Sequence, residues 1–251
     1  MRSPHATERA SCVPEPNPAW AGTLSFTHAL QAGSNRLILL AVAAETGGGG
    51  TAASRPDIVT YGGTPMIAGT EQSGGTTHWS PDLFFYYLTE SGIGTKTGSQ
   101  TVVVNGTPTM PNPGVPGVII ANLVEFSGVR QANPLGPYAG GTLPTDGDAD
   151  TVVQTLAVAT SGSRIYTLTA GMFCGASALD PYLTAGAAPT MLLNNAGVSG
   201  SPADMRAAAA YAGSGSPAVL AGGPSVVYTL GWTYAFCGEI THEAVVVSPA
   251  P

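Results

Sequence analysis

Charge is what this sequence has least of. Charged residues make up 9% of its 251 positions, against about 25% in an ordinary soluble domain. Lys96 is the sole lysine, and the seven arginines stand singly. A nucleic-acid-binding face needs clustered basic groups that displace counterions, so the sequence argues against nucleic acid as a partner. A polybasic membrane patch fails on the same ground. Long apolar runs are missing too. The longest, Leu37 to Ala44, falls far short of the roughly 18 residues of a membrane span. Arg2 and Arg9 are followed by no apolar stretch, so residues 1–17 read as an N-terminal arm and not as a secretory signal.

Cysteine is scarce and odd in number: Cys12, Cys174 and Cys237. No C-x-x-C occurs, and no histidine stands at zinc spacing. Cys174 and Cys237 share a context, each preceded by Phe and followed by Gly downstream of a Tyr-Thr-Leu run. A disulfide between them is a candidate. Buried free thiols in a core are the favoured reading, since cysteine packs as a small hydrophobe.

Catalytic motifs are likewise missing. H-E-x-x-H, G-x-S-x-G and G-x-x-x-x-G-K-[ST] do not occur. Glu239 and Glu243 form the one carboxylate pair on a common strand. Four strand residues put their Cα atoms about 13 Å apart. A retaining glycosidase pair needs about 5 Å, an inverting pair up to about 9.5 Å. His28 and His242 read as hydrogen-bonded sheet residues. No enzymatic activity is expected.

What is abundant points to β structure. The chain is 43% hydrophobic, with 34 glycines and 21 prolines. No G-x-y period appears, so collagen is excluded. With so few ions, the outer face must be built from Thr, Ser, Asn, Gly and Ala, as suits secreted, cell-surface or virion proteins. Period-2 alternation recurs and the helical period barely does. It predicts twelve strands: 22–29, 36–45, 57–61, 64–70, 82–88, 98–104, 117–127, 151–158, 164–174, 204–212, 225–237 and 239–247. Gly62-Gly63 predicts a tight hairpin. Residues 107–116, with four prolines, and 133–147 read as connections. Residues 117–127 are almost continuously apolar, as in a central strand covered on both faces. Alternation puts Phe84 and Tyr86 on one face and Phe85 and Tyr87 on the other. Residues 201–210 fit a helix or a flat strand, and the all-β context favours the strand. The fold expected is an antiparallel β-sandwich: arm 1–17, one domain 18–247, tail 248–251.

Two binding signals stand out. Asp146, Asp148 and Asp150 alternate around a glycine, and carboxylates so placed can converge on Ca²⁺. The EF-hand pattern is incomplete, and an acidic turn is the competing reading. Calcium is the only cofactor with a candidate site. Trp79, Trp20, Tyr138 and Tyr182 are candidates for a sugar-stacking platform. Trp79 leads, because it lies in a loop. Trp232 alternates with Tyr228, Leu230, Tyr234 and Phe236, so it reads as a core residue.

The order of several segments resembles a lectin-like jelly-roll module of bacterial secreted and phage structural proteins. They are Ser34–Val42, Val59–Met66, Phe85–Glu90, Gly98–Val104, Val124–Gly136, Tyr228–Trp232 and Ala244–Val247, covering most of residues 20–247. The resemblance implies a concanavalin A/glucanase-like fold and little about activity. A glucanase resembling that fold would carry E-x-D-x-x-E, which is absent here. The expected role is a structural or adhesive protein of a surface or virion assembly, acting through self-association or other subunits. The alternative is a carbohydrate-binding module; a glycoside hydrolase ranks third.

Overall fold

A computed structural model describes residues 5–8, 23–45, 55–74, 81–105, 118–143, 151–156, 163–173, 182–185, 190–197, 205–212, 226–231 and 236–251. Seventeen strands occur among them. They are β1 (His5–Glu8), β2 (Thr23–Ala29), β3 (Leu37–Glu45), β4 (Ile58–Tyr61), β5 (Thr64–Pro65), β6 (Ile67–Gln72), β7 (Asp82–Thr89), β8 (Ser99–Asn105) and β9 (Val118–Ser127). They continue with β10 (Leu135–Leu143), β11 (Thr151–Leu156), β12 (Arg164–Phe173), β13 (Tyr182–Ala185), β14 (Thr190–Gly197), β15 (Met205–Ala212), β16 (Val226–Gly231) and β17 (Phe236–Val247). One helical turn, α1 (Glu90–Ile93), follows β7. Every strand pairing is antiparallel. The chain is all-β, as its alternation predicts.

The strands form a stack of three layers. The central sheet runs β1-β9-β3-β7-β6. One face is covered by the sheet β2-β8-β4-β5, the other by β10-β17-β12-β15-β14. A smaller sheet, β11-β16-β13, sits with β11 near β10 and β17. The pleat explains the composition of β3. Ile38, Leu40, Val42 and Ala44 join one core; Leu37, Leu39, Ala41 and Ala43 join the other. Side chains one residue apart point to opposite faces, so a strand covered twice has no polar side to spare. β9 obeys the same rule, as its apolar run predicts. Phe84 and Tyr86 enter one core and Phe85 the other, with Tyr87 packed beside it. Fully burying one such side chain is worth about 1.5–3 kcal/mol.

The path between layers is regular. β2 pairs with β8 in one layer, and β3 with β7 in the next. The antiparallel ribbon made by β2–β3 and β7–β8 therefore crosses between layers as a unit. β3–β4 and β8–β9 make a second such ribbon, since β4 pairs with β8 and β3 with β9.

Three departures from the sequence reading have physical causes. Residues 133–147 hold a strand, β10, where a connection was expected. Pro137 and three glycines disguised it. β10 is an edge strand, pairing with β17 alone, and an edge tolerates a residue that cannot donate. Its register shifts between Leu135 and Tyr138, next to the proline. β13 and β14 were also missed, being short or irregular; β14 shifts register twice against β15. Finally, residues 225–237 and 239–247 divide differently, into β16, which ends at Gly231, and β17, which starts at Phe236. The Gly62-Gly63 hairpin is present. Both glycines have positive φ, 54° and 76°, and Tyr61 pairs with Thr64, as a type I′ turn requires. Residues 205–212 are strand.

Candidate functional site

Polar groups in the two cores are few and clustered. Between the central sheet and β2-β8-β4-β5 lie His28, Tyr61 and Glu125. His28 follows Leu24 and Phe26 on the inward face of β2. Its Nδ1 is 3.0 Å from Tyr61 Oη, with the rings tilted at 56°. Its Nε2 is 3.7 Å from Glu125 Oε2, beyond hydrogen-bond range. The backbone N–H of Gln31 donates to the same carboxylate oxygen at 3.0 Å. Burial pushes the Glu125 carboxyl above the usual carboxylate range, against the Gln31 hydrogen bond and Arg36. Burial likewise raises the Tyr61 hydroxyl.

Hydroxyl, imidazole and carboxylate in a row have the order of a nucleophile, base and orienting acid. The geometry denies them that role. The carboxylate does not reach the imidazole, the phenol is driven toward its neutral form, and all three side chains are closed to solvent. The cluster is a polar pin between two layers.

A second group lies between the central sheet and β17. Thr241 and Glu243 alternate with Val245 and Val247, so they share the inward face. Glu243 is fully buried, and neither carboxylate oxygen has a hydrogen-bond partner. Thr70 of β6 is close enough to favour the anion, yet its hydroxyl lacks hydrogen-bond geometry. Burial therefore dominates and pushes Glu243 up to about 7, with Arg55 opposing and Glu71 adding to the rise. His242, its neighbour, is pushed by burial down to about 4. Arg55 lies 5.4 Å from the ring centres of both Phe84 and Tyr86 and grips Glu71 Oε2 at 2.6 Å. In the interlayer that holds Glu243, Tyr166 Oη donates to Asn122 Oδ1, and its ring meets Phe85 edge-on at 5.7 Å.

Two clasps hold the ends of loops. Ser73 Oγ and the Gly74 N–H donate to Asp82 Oδ1, at 3.0 and 2.6 Å. They tie the end of β6 to the start of β7. Arg36 grips Glu90 through Nε at 3.0 Å and through Nη2. Its own N–H donates to the same carboxylate at 2.7 Å, and Gln131 Oε1 accepts from the Glu90 N–H at 2.7 Å. This pairing holds the Glu90 carboxyl below its usual range.

On one flank no described strand pairs beyond β6 or β10. β6 ends the central sheet and β10 ends the sheet beneath it, and the two edges meet. Thr142 Oγ1 donates to the Ser73 carbonyl at 3.2 Å, and Leu135 packs over Gly69. Ile67 on β6 is 49% exposed and Tyr138 on β10 is 55% exposed. With Ile58, they are the exposed large hydrophobics among the described residues.

Of the sugar-platform candidates, Tyr138 stands in the open on β10. Tyr182 begins β13 and pairs in register with Gly231. Trp20 and Trp79 lie outside the described residues, as do Asp146, Asp148, Asp150, Cys174 and Trp232. Cys237 is the second residue of β17. Glu239 and Glu243 do share that strand. Among the described residues, no three His, Cys, Asp or Glu side chains gather as for a metal ion, and no helix is long and apolar enough to cross a membrane. The sequence marked neither Glu125 nor Glu243 as buried. The only signal was an acid inside an apolar run, as in Leu123-Val-Glu-Phe and Glu243-Ala-Val-Val. Comparison with protein-family models, with curated proteins and with solved structures finds no match.

Proposed function

We propose that this chain is a structural or adhesive β protein that works through protein–protein contacts in a surface or virion assembly. The carrying observation is the flank where β6 and β10 end side by side. Two strand edges that no described strand pairs with meet there, with Ile67 and Tyr138 about half exposed. Open edges offer unpaired N–H and C=O groups, and an isolated chain normally blunts them with charge. Here the one charged residue of β6, Glu71, is paired with Arg55, and β10 has no charged residue. Low charge over the whole chain fits close packing among neighbours. The acids and histidines His28, Asp82, Glu125, His242 and Glu243 are enclosed, which closes them to a substrate in solution. The ribbons that cross together between layers support a jelly-roll-like path for residues 23–127, as in concanavalin A-like modules. Residence outside a cell or in a virion is part of the same proposal, supported by the low share of charged residues.

Size-exclusion chromatography with light scattering tests the reading. The expected result is a species larger than one chain, reduced to a monomer by Ile67→Lys with Tyr138→Lys. A carbohydrate-binding module is the second reading, favoured by the exposure of Tyr138. A clean monomer that binds a glycan array, and loses that binding on Tyr138→Ala, would replace the first reading with the second. Asp146, Asp148 and Asp150 would then be the place to look for calcium. No change in melting at millimolar calcium removes that site.

A further inference from the structure

The opposite flank carries a different feature. β1 joins the outer edge of β9 in a fixed register, His5 with Ser127 through Glu8 with Val124. It covers four residues of a strand that runs from Val118 to Ser127. Along Val118 to Leu123 no described strand pairs with that outer edge. Among the described strands β1 pairs with β9 alone. Its sequence, His-Ala-Thr-Glu, contains no large apolar side chain. The join therefore depends on main-chain hydrogen bonds, each worth about 0.5–1.5 kcal/mol net. Such bonds specify register but not which copy supplies the strand.

The tether permits either copy. Fourteen residues separate Glu8 from Thr23, a span of up to about 48 Å when extended. A compact chain of this length has a radius of gyration of about 18 Å, so the arm can reach past its own molecule. Own and foreign strands make identical contacts, and exchange costs little where a tether already exists. The choice is set by concentration. A linker of this length presents its own strand at about millimolar effective concentration, and a dense array would present neighbouring strands at a comparable level.

We propose that β1 is an exchangeable strand, and that in the assembly the arm of one copy lies along the β9 edge of a second copy of this chain. The inference rests on the assembly reading and names its partner and its contact. It predicts a linkage between copies through β1 and β9, independent of the β6–β10 flank.

Cysteines at one register pair test it. Paired antiparallel residues have Cα atoms about 4.5–5.5 Å apart, inside the range of about 4.4–6.8 Å that a disulfide spans. Chains with His5→Cys alone and chains with Ser127→Cys alone are mixed dilute, concentrated and oxidised. The linked peptides are identified by mass, so the native cysteines stay in place. The expected product is a covalent heterodimer joined through positions 5 and 127, with a yield that rises with protein concentration. The doubly substituted chain serves as control. A link formed only within that chain, with none in the mixture at any concentration, overturns exchange and leaves the arm on its own sheet. No link in either sample overturns the docking itself. Light scattering on the same samples separates the two ideas. An assembly without the mixed link refutes exchange alone; a monomer throughout refutes the assembly reading as well.

Discussion

Replacing Glu243 with glutamine should stabilise this protein, and by an amount that depends on pH. In the folded state its carboxyl keeps a proton up to about pH 7, against an ordinary value of 4.5. At about 1.4 kcal/mol per tenfold change in proton affinity, that difference corresponds to roughly 3 kcal/mol. The direction follows from linkage. Between pH 4.5 and about 7 the folded state holds a proton that the unfolded chain has released. Stability from this group is thus greatest below pH 4.5, falls as pH rises through the window, and stays low above it. His242 behaves oppositely. Its folded value is about 4 against 6.5, so the folded state refuses a proton that the unfolded chain takes. Its contribution is full above pH 6.5 and is lost as pH falls toward 4. The two windows overlap from 4.5 to 6.5, and their slopes cancel there.

Urea denaturation of wild type and Glu243→Gln across pH 4 to 8 reads both. The variant should match wild type near pH 4 and exceed it by roughly 3 kcal/mol at pH 8. With the opposing slope removed, its stability should rise from pH 4 to 6.5 as His242 dictates. A difference between the two proteins that does not change with pH would refute the reasoning, because the buried carboxyl would then not be holding a proton.

Other expectations are simpler. Tyr166→Phe removes the donor to Asn122 Oδ1 in a buried interlayer, where Asn122 Nδ2 already lacks a protein partner; a loss of about 1–3 kcal/mol in chemical denaturation is expected. Gly62→Ala forces a side chain into φ +54° with its Cβ against Gln100 Oε1, and should cost about 1–2 kcal/mol. Gly63→Ala meets nothing within 4 Å and should cost less in the same assay. Arg36→Ala strips Glu90 of its cation and should lower stability by about 1–3 kcal/mol, with the loss shrinking below the Glu90 titration as the carboxyl protonates.

The parts that were legible in the sequence are those where one force dominates. The run Val118–Phe126 is apolar on both sides, and only a doubly covered strand uses such a run. Gly62-Gly63 between two short alternating runs leaves little choice but a primed turn. The layer count was not legible. Alternation says that a strand has two faces, not what covers each, and two cores instead of one are seen only when distant strands are brought together. β10 was hidden because Pro137 and its glycines carry the local signature of a loop, while its place in the sheet is fixed by β17, a hundred residues away in sequence. Glu125 and Glu243 were hidden for a related reason. A carboxylate is read as a surface group by default, and its burial is decided by the sheets that close over it. Their neighbours on the opposite layer, Tyr61 and Thr70, are also distant in sequence.

The doubly covered central strand also bears on how the chain is made. β3 has no polar side, and its two flanking strands arrive late. β7 begins at Asp82 and β9 at Val118. At about 5–20 residues per second, a ribosome takes seconds to deliver the second one. For that interval Leu37 to Ala44 is a bare, apolar, charge-free ribbon with one side of its backbone unclaimed. During synthesis it is a stretch that a chaperone would cover, exposed to pairing with its counterpart on a neighbouring nascent chain until β9 arrives.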